Sequence, residues 1–468
     1  MSLKSEYTPT DEASSWPLLF LLVSGLTWLV FAGILAVVAA VQLHSPTFLA
    51  GCSFLTYGRT VVLAETAFVY GWLANAGLGL ALWVLGRLAG EPLRAQNWVL
   101  GGTTFWNLGV TGALVGVACG DATGYEFLGL PAYVQLILFA SYAAIAVSGL
   151  LGWSGRLRQV SYASHWYAAA ALFLFPWLLS IAHVMLFASP VRGVLQPIIA
   201  DWYGQSAWTL WLAPLFLTVA YYVVPKVTGK ALPSYEFAAL GFWTLIFVGG
   251  LTGGRHLVGG PVPAWIPSLA VVTCGLLLFH TCIVLLNLRG AFSGKGVALK
   301  FIAFGLLAYL VGAVADAATS LHGIALHTQF TYFEQAQKQL ALYGAASTVL
   351  FGGIYFALPR ITGKAWFSGA LVRAHLGLTV VGILLLVACL VLASVTQSQD
   401  LLDPRVAFAS ITDHMRPWQA GAAAAQLLLL LGNVAFLANF YLTACRILKV
   451  SAPAWFTPPA PAMETPAS

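Results

Sequence analysis

The sequence contains few charged residues: 8% of its 468 residues are Asp, Glu, Lys or Arg, whereas 60% are hydrophobic. A soluble domain carries about 25% charged residues, so this composition excludes an ordinary soluble protein and indicates a chain that lies in lipid. The net charge of +6 is small and is spread over many loops, which gives no support to nucleic-acid binding.

The six cysteines form no CxxC or CxxCH pattern, and most of them lie inside apolar stretches. This spacing argues against a zinc site, a covalently attached c-type haem and a disulfide framework. No long polar insertion interrupts the apolar sequence, so no separate soluble domain is expected. We therefore predict a single membrane domain over residues 16–446, flanked by a disordered N-terminus (1–15) and a disordered tail (447–468).

The apolar residues form runs long enough to cross a bilayer, which requires about 20 mostly apolar residues per helix. Twelve such runs predict an all-α polytopic membrane protein. The first run is too long for a cleaved signal peptide and is expected to remain as the first helix. The runs cover residues 16–42, 60–88, 96–119, 130–153, 164–188, 206–225, 236–256, 265–288, 299–321, 335–358, 371–395 and 418–445.

Basic residues are distributed unevenly over the predicted loops. The side that holds both termini carries fifteen of the 21 Lys and Arg residues, and the other side carries six. Because cytoplasmic loops of membrane proteins carry the excess of Lys and Arg, we place both termini in the cytoplasm. The expected location is the inner (cytoplasmic) membrane of a prokaryote.

Several ionisable residues lie near the predicted outer ends of helices. Glu65 follows the start of helix two, Arg255 and His256 close helix seven, and Lys338 opens helix ten. Such groups cost about 2.5–3.5 kcal/mol each at the membrane centre and normally face the protein interior. We expect an inward-facing polar cluster in which Glu65 lies opposite Lys338 or Arg255; interfacial side chains are the alternative. Asp316, in helix nine, is expected to accept hydrogen bonds from neighbouring hydroxyls or amides.

Residues 328–359 read TQFTYFEQAQKQLALYGAASTVLFGGIYFALP. This stretch resembles helix ten of the catalytic subunit of haem-copper oxidases, in the branch of cbb3-type oxidases and nitric oxide reductases. The resemblance extends over residues 16–446 and implies a subunit I-like bundle of about twelve helices, with weak self-similarity between thirds of the chain. Other patterns that carry it, in the same order as in the family, are Tyr57-Gly58-Arg59, Trp202-Tyr203-Gly204, Tyr221-Tyr222, Pro225-Lys226 and Pro261-Val262-Pro263-Ala264-Trp265.

The resemblance also assigns the positions of the six histidines with which the family binds two haems and a copper or iron. A carboxamide is a poor ligand for iron or copper, and only one of the six positions still carries a histidine. We therefore predict no cofactor, no metal and no catalytic residue. The positions are Ala64 in helix two, Gln205 after Trp-Tyr-Gly, Arg255 and His256 at the end of helix seven, and Gln337 and Gln339 in helix ten, where the family's pair holds the two haem irons.

The other histidines are not expected to replace these ligands. His183 and His280 lie in helices five and eight, which do not ligate haem in the family, and we expect them to be hydrogen-bonded structural residues. His322 and His327 precede helix ten on the predicted outer side and are the nearest substitutes.

Three functions remain open. The favoured one is a cbb3-type oxidase subunit I-like protein without catalysis, acting as a structural or partner-binding subunit of a respiratory or related membrane complex. Its partners would be other membrane subunits, including a catalytic paralogue or a cytochrome c-type subunit. The second is an active oxygen or nitric oxide reductase with unconventional ligation. The third is a proton or ion pathway in which the polar cluster continues through Asp316, Tyr343 and Thr348.

Overall fold

The structure is a computed structural model that describes residues 8–154 and 161–448. The described part contains helices and no strands, and its twelve long helices confirm the predicted all-α fold. Short helices in the connections are Ser53–Leu55, Arg255–Leu257, Gly290–Ser293 and His322–Thr328. The long helices are α1 (Pro9–His44), α2 (Tyr57–Ala89), α3 (Gln96–Cys119), α4 (Ala132–Ser154), α5 (Ala163–Ala188), α6 (Leu195–Thr228), α7 (Tyr235–Gly249), α8 (Trp265–Asn287), α9 (Val297–Thr319), α10 (Tyr332–Thr362), α11 (Gly369–Leu402) and α12 (Phe408–Leu448).

Three of the long helices form the interior of the bundle. Among the described residues, ten helices are long and apolar enough to cross a membrane. In α2, α6 and α10, 94% of the most apolar window is buried inside the protein, against 39–50% in the other seven. The remaining helices therefore surround α2, α6 and α10, which carry the interior side chains.

Each inner helix contains a π-helical segment at a similar distance from its start. The segments are Ala67–Leu73 in α2, Ala207–Leu212 in α6 and Leu340–Ser347 in α10. Such wider turns change the direction of the side chains around them and are frequent at functional sites. Glu65, Gln205 and Lys338 each lie two residues before their segment, so the three helices present these side chains at equivalent positions.

The other ends of the inner helices share a second pattern: an aromatic residue, a basic residue four positions later, and a glycine at positive φ three positions after that. The three aromatic rings meet, with centroids 5.4–6.4 Å apart. Each basic group lies 3.6–5.9 Å from the centroid of the ring on its own helix. This repetition is the self-similarity expected between thirds of the chain. The sets are Trp83, Arg87 and Gly90; Tyr222, Lys226 and Gly229; and Phe356, Arg360 and Gly363.

The first helix begins earlier than predicted. α1 starts at Pro9, so the expectation of disorder over residues 1–15 is wrong for residues 9–15. Asp11 forms a capping box with Thr8, and its carboxylate accepts a hydrogen bond from Trp83 Nε1 at 3.1 Å. The same carboxylate lies 3.1 Å from Arg87 Nε, so contacts with α2 stabilise these turns. Residues 1–7 and 449–468 lie outside the described residues, whereas 447–448 still belong to α12.

α6 also begins earlier than predicted, at Leu195 rather than at residue 206. Gln205 therefore lies inside the helix and does not precede it. The polar residues Gln196 and Asp201 lower the hydropathy of this first part, which is why the apolar run starts later than the helix. The π-helical segment that follows Gln205 continues the same helix into the membrane.

α7 ends at Gly249 rather than at residue 256. Arg255 and His256 do not close this helix but lie in a 3₁₀ turn of the following loop. Gly254 has a φ of +96°, and a Cβ on Gly253 would lie 2.6 Å from the backbone of α6. These glycines let the chain leave the helical path and pack closely on α6, which brings Arg255 to the bundle interior.

Candidate functional site

The ammonium group of Lys338 joins α2 and α10 to the loop between α3 and α4. Its Nζ lies 2.7 Å from Glu65 Oε2 and 3.0 Å from Glu126 Oε1. The same ammonium lies 5.0 Å from the ring centroid of Phe127. The other Glu65 oxygen accepts a 3.1 Å hydrogen bond from the backbone N–H of Phe127. Of the two cations considered for Glu65, Lys338 is therefore the one that contacts it.

Glu126 is a member of this network that the sequence does not reveal. It lies in the loop between α3 and α4, where a single acid gives no signal because most loop acids are exposed. The Glu126 side chain is 41% exposed. Its partial burial raises its pKa, but the Lys338 ammonium outweighs this effect and holds that pKa below its usual value. Glu126 is therefore ionised at neutral pH and shares the charge of Lys338 with Glu65.

A second ion pair connects the loop after α7 to α9. Arg255 Nη1 lies 2.7 Å from Asp316 Oδ1. The Gln337 side chain on α10 donates hydrogen bonds to the same Asp316 oxygen, at 3.1 Å, and to Thr319 Oγ1, at 3.2 Å. Asp316 thus has the amide partner expected from the sequence, and it also has a guanidinium partner that was not expected. Burial lowers the pKa of Arg255, but the Asp316 carboxylate more than compensates and raises it.

His256 lies beside Arg255 and is uncharged at neutral pH. Burial and the neighbouring guanidinium lower the pKa of His256 to about 4. Its Nε2 accepts a 2.9 Å hydrogen bond from Arg255 Nε, which is consistent with a neutral ring. Its Nδ1 lies 3.6 Å from Glu334 Oε1. Because the ring is neutral, the two side chains form no ion pair. His256 therefore extends the network as a neutral acceptor.

Two cavities lie on opposite sides of this part of α10. The first, which we call the α6–α10 cavity, has a volume of about 270 Å³ and is lined by Gln205, Arg255, His256 and Gln337. The second, which we call the α2–α12 slot, has a volume of about 540 Å³ and is lined by residues of α1, α2, α10, α11 and α12, including Ala64 and Gln339. Lys338 and Glu126 line both. Of the six positions that the resemblance assigns to metal ligands, four therefore lie around the α6–α10 cavity and two around the α2–α12 slot.

The side chains at these positions do not fit the two haems and the copper or iron that the resemblance implies. Ala64 has no donor atom, and a guanidinium such as that of Arg255 has no lone pair to offer a metal. The Gln337 amide already bonds to two protein oxygens. Among the described residues, no three His, Cys, Asp or Glu side chains are placed together so that they could hold a metal ion. That the six positions correspond to the family's ligands stays a prediction.

Histidines inside other helices have protein partners. His183 Nδ1 lies 3.1 Å from Gln135 Oε1, and His280 Nδ1 lies 2.7 Å from the carbonyl oxygen of Gly241. Both are therefore the hydrogen-bonded structural histidines that the sequence led us to expect. His322 and His327, at the two ends of the short helix before α10, are exposed.

The family model for the Cytochrome C and Quinol oxidase polypeptide I matches residues 17–440, which is most of the chain. The chain belongs to this family. A cytochrome c oxidase subunit 1 homolog of Azorhizobium caulinodans is 24% identical over 462 residues, which cover 91% of this chain and 81% of the relative. The cbb3-type cytochrome c oxidase subunit CcoN1 of Stutzerimonas stutzeri is 23% identical over 382 residues, covering 78% and 79%.

Two further comparisons agree with this assignment. Cytochrome c oxidase subunit 1 of Rhodobacter capsulatus is 24% identical over 379 residues, which cover 76% of this chain and 71% of the relative. A solved haem-copper terminal oxidase dimer matches with a TM-score of 0.71 at 12% identity, over 92% of this chain and 84% of that chain. The haem-copper oxidase subunit I-like fold inferred from helix ten is therefore confirmed, and the protein is a multi-pass membrane protein of this family.

Proposed function

We propose that this member of the family is a non-catalytic membrane subunit that provides structure and binds partner subunits in a respiratory or related complex. The observation that supports the proposal is the ion-pair network in the space between α2, α9 and α10. Arg255 stands at a position that the resemblance assigns to a metal ligand, and Glu65 and Lys338 stand next to such positions. The two cations bind protein carboxylates. A network of this kind ties the helices together without a metal.

The energetics of the network favour a structural role. Removing one partner of a buried ion pair costs about 3–5 kcal/mol, because the remaining charge is left uncompensated. The side chains of Glu65 and Lys338 are 24% and 26% exposed, so their pair lies at or below the lower end of that range. Arg255 is more deeply buried, with 9% of its side chain exposed. Each cation therefore stabilises the contact between elements that lie far apart in the sequence.

The partners that we propose are other membrane subunits, including a catalytic paralogue or a cytochrome c-type subunit. The solved neighbour is a dimer of a haem-copper terminal oxidase, which supports association within a membrane complex. The excess of basic residues on one side supports a location in the inner membrane with both termini in the cytoplasm. A reporter enzyme that is active only in the cytoplasm, fused after residue 468, should be active.

Deletion of the gene in its native host tests the proposed role. Subunits that co-purify with the tagged chain in mild detergent should decrease in the membrane fraction of the deletion strain. The wild-type chain should restore them, and so should the chain carrying the exposed substitution Glu236→Ala. The proposal is wrong if every co-purifying subunit keeps its normal abundance, or if the purified chain alone reduces oxygen or nitric oxide.

A further inference from the structure

The α2–α12 slot is lined by three amide side chains in a row on α12. Gln419, Gln426 and Asn433 are spaced by seven residues, and all three line the slot. Seven residues make nearly two helical turns, so this spacing keeps the three side chains on one face. At a rise of 1.5 Å per residue, the first and the last lie about 21 Å apart along the helix. The three amides therefore place polar groups at intervals along a slot whose other lining residues are mostly apolar.

Two of these amides present a buried polar atom that has no partner among the described residues. Gln419 is 2% exposed, and its Nε2 donates to the Tyr332 hydroxyl at 3.0 Å while its Oε1 is unpaired. Asn433 is 1% exposed, and its Oδ1 accepts from the Tyr343 hydroxyl while its Nδ2 is unpaired. Buried polar atoms in proteins nearly always have hydrogen-bond partners. One of these atoms thus needs a donor and the other an acceptor, and the slot is the space that both residues line.

Water satisfies both requirements better than a single small molecule does. One unpaired atom is an acceptor and the other is a donor, and the distance between them is too long for a compact ligand. At about 30 Å³ per molecule, the slot of about 540 Å³ has room for on the order of eighteen waters. An apolar lipid chain would fill the space but would leave both atoms unpaired.

The charges around the slot favour cations over anions. Glu65, Glu126 and Glu334 line it together with a single cation, Lys338. Because like charges repel and unlike charges attract strongly in a cavity with low-dielectric walls, an excess of carboxylates raises the local concentration of small cations. The entrance lies at this acidic end, where Glu334 and Tyr57 are exposed.

The other end of the slot is closed by aromatic rings. The ring of Phe351 lies 6.3 Å from that of Tyr343, 5.2 Å from that of Trp72 and 5.3 Å from that of Phe436, measured between centroids. We propose that the slot is an aqueous half-channel that admits water and small cations from the Lys338 end of the bundle as far as Asn433 and Tyr343. This inference goes beyond the structural role proposed above and does not depend on it.

Cysteine accessibility tests the half-channel with neighbouring residues as controls. In a full-length chain without its six native cysteines, Ala422→Cys and Gln426→Cys would place a thiol on the slot face of α12. Ala424→Cys and Leu427→Cys place one at nearly the same depth at exposed positions that do not line the slot. The probes are a cationic and an anionic methanethiosulfonate reagent, both membrane-impermeant, added to sealed vesicles of either orientation. Gel filtration confirms that each variant is folded.

We expect the two slot cysteines to react at least about tenfold faster than the two controls, because thiolates form in water and not in lipid. The reaction should occur only in the vesicle orientation that exposes the loop between α3 and α4, and the cationic reagent should react faster. Slot cysteines that react no faster than the controls would show that the slot is dry or filled by lipid. Equal reaction from both faces, or a faster anionic reagent, would also overturn the proposal. Ala422→Cys adds a single sulfur atom, so it remains informative if the Gln426 variant does not fold.

Discussion

Lys338 lies near the start of α10 and Arg255 lies in the loop after α7, and each cation lies 2.7 Å from a carboxylate oxygen. The cost of placing such groups in a membrane makes a partner for each predictable from the sequence alone. The identity of the partners is less predictable. Lys338 also contacts Glu126, a loop residue, and Arg255 contacts Asp316 rather than Glu65. Both choices depend on how loops fold over the bundle, which the helical pattern does not encode.

Glu65→Ala tests the network at α2. The substitution leaves Lys338 with Glu126 as its remaining carboxylate and removes the acceptor of the Phe127 N–H. We expect a loss of about 2 kcal/mol of stability, because one side of a partly buried ion pair disappears. The measurements are the amount of protein that accumulates in the membrane and the melting temperature in detergent. The exposed Glu236→Ala is the control, and normal accumulation of Glu65→Ala would contradict the structural role of the pair.

His256 gives the network a defined pH dependence. Its pKa is about 4 in the folded protein, against about 6.5 in an unfolded chain. Between these values the unfolded state binds more protons, so stability falls as the pH decreases from 6.5 towards 4. We expect the melting temperature to fall between pH 7 and pH 5, and to fall less in His256→Gln, which keeps an acceptor for Arg255. The exposed His322→Gln should behave like the wild type. An unchanged pH dependence in His256→Gln would contradict the assignment.

At the scale of the helices, α2, α6 and α10 share one pattern: a π-helical segment followed by an aromatic residue, a basic residue and a glycine at positive φ. Their apolar cores were predictable because a spanning helix requires about 20 apolar residues. Two of the helix bounds that differ from the prediction do so for local reasons. The first turns of α6 contain polar residues, and α7 stops where Gly253 and Gly254 permit a close approach to α6. The π-helical segments leave no signal in hydropathy, since they add one residue to a turn without changing composition.

Gly353 offers a test of how the inner helices pack. It lies three residues before Phe356, at the position that Leu80 and Val219 occupy in the other two inner helices. A Cβ at Gly353 would lie 2.5 Å from Val219 Cγ1 and 2.8 Å from Leu80 Cδ1. We expect Gly353→Leu to cost about 1–3 kcal/mol through overpacking, measured as a lower melting temperature in detergent.

A second substitution makes this test specific. Leu80→Ala in the same chain should recover part of the loss, because it returns the volume that the new leucine takes. Gly275→Leu on α8, where no atom lies within 4 Å of a new Cβ, is the control and should change stability by less than about 0.5 kcal/mol. Overpacking between the inner helices would be the wrong explanation if the double variant were no more stable than Gly353→Leu alone.

At the scale of the whole molecule, the chain keeps the family's bundle, and we propose that its interior lacks the family's metal sites. The family model matches residues 17–440, and the solved neighbour superposes with a TM-score of 0.71. This similarity fixes the fold and leaves the function to the side chains inside it. Those side chains form ion pairs and line two cavities where the resemblance places metal centres. The sequence revealed the family because residues 328–359 resemble the family's helix ten. It suggested a loss of function because Gln337 and Gln339 stand where the resemblance places two histidines.

Cofactor content tests this account most directly. The chain would be purified from a host that supplies haem and copper in plenty, beside the Rhodobacter capsulatus cytochrome c oxidase subunit 1 as a positive control. A reduced-minus-oxidised absorption spectrum and a metal analysis would be recorded for both. We predict no Soret band and no copper above background in this chain, and both signals in the control. A stoichiometric b-type haem in this chain would contradict the account, and His256, His322 and His327 would then be the first residues to substitute.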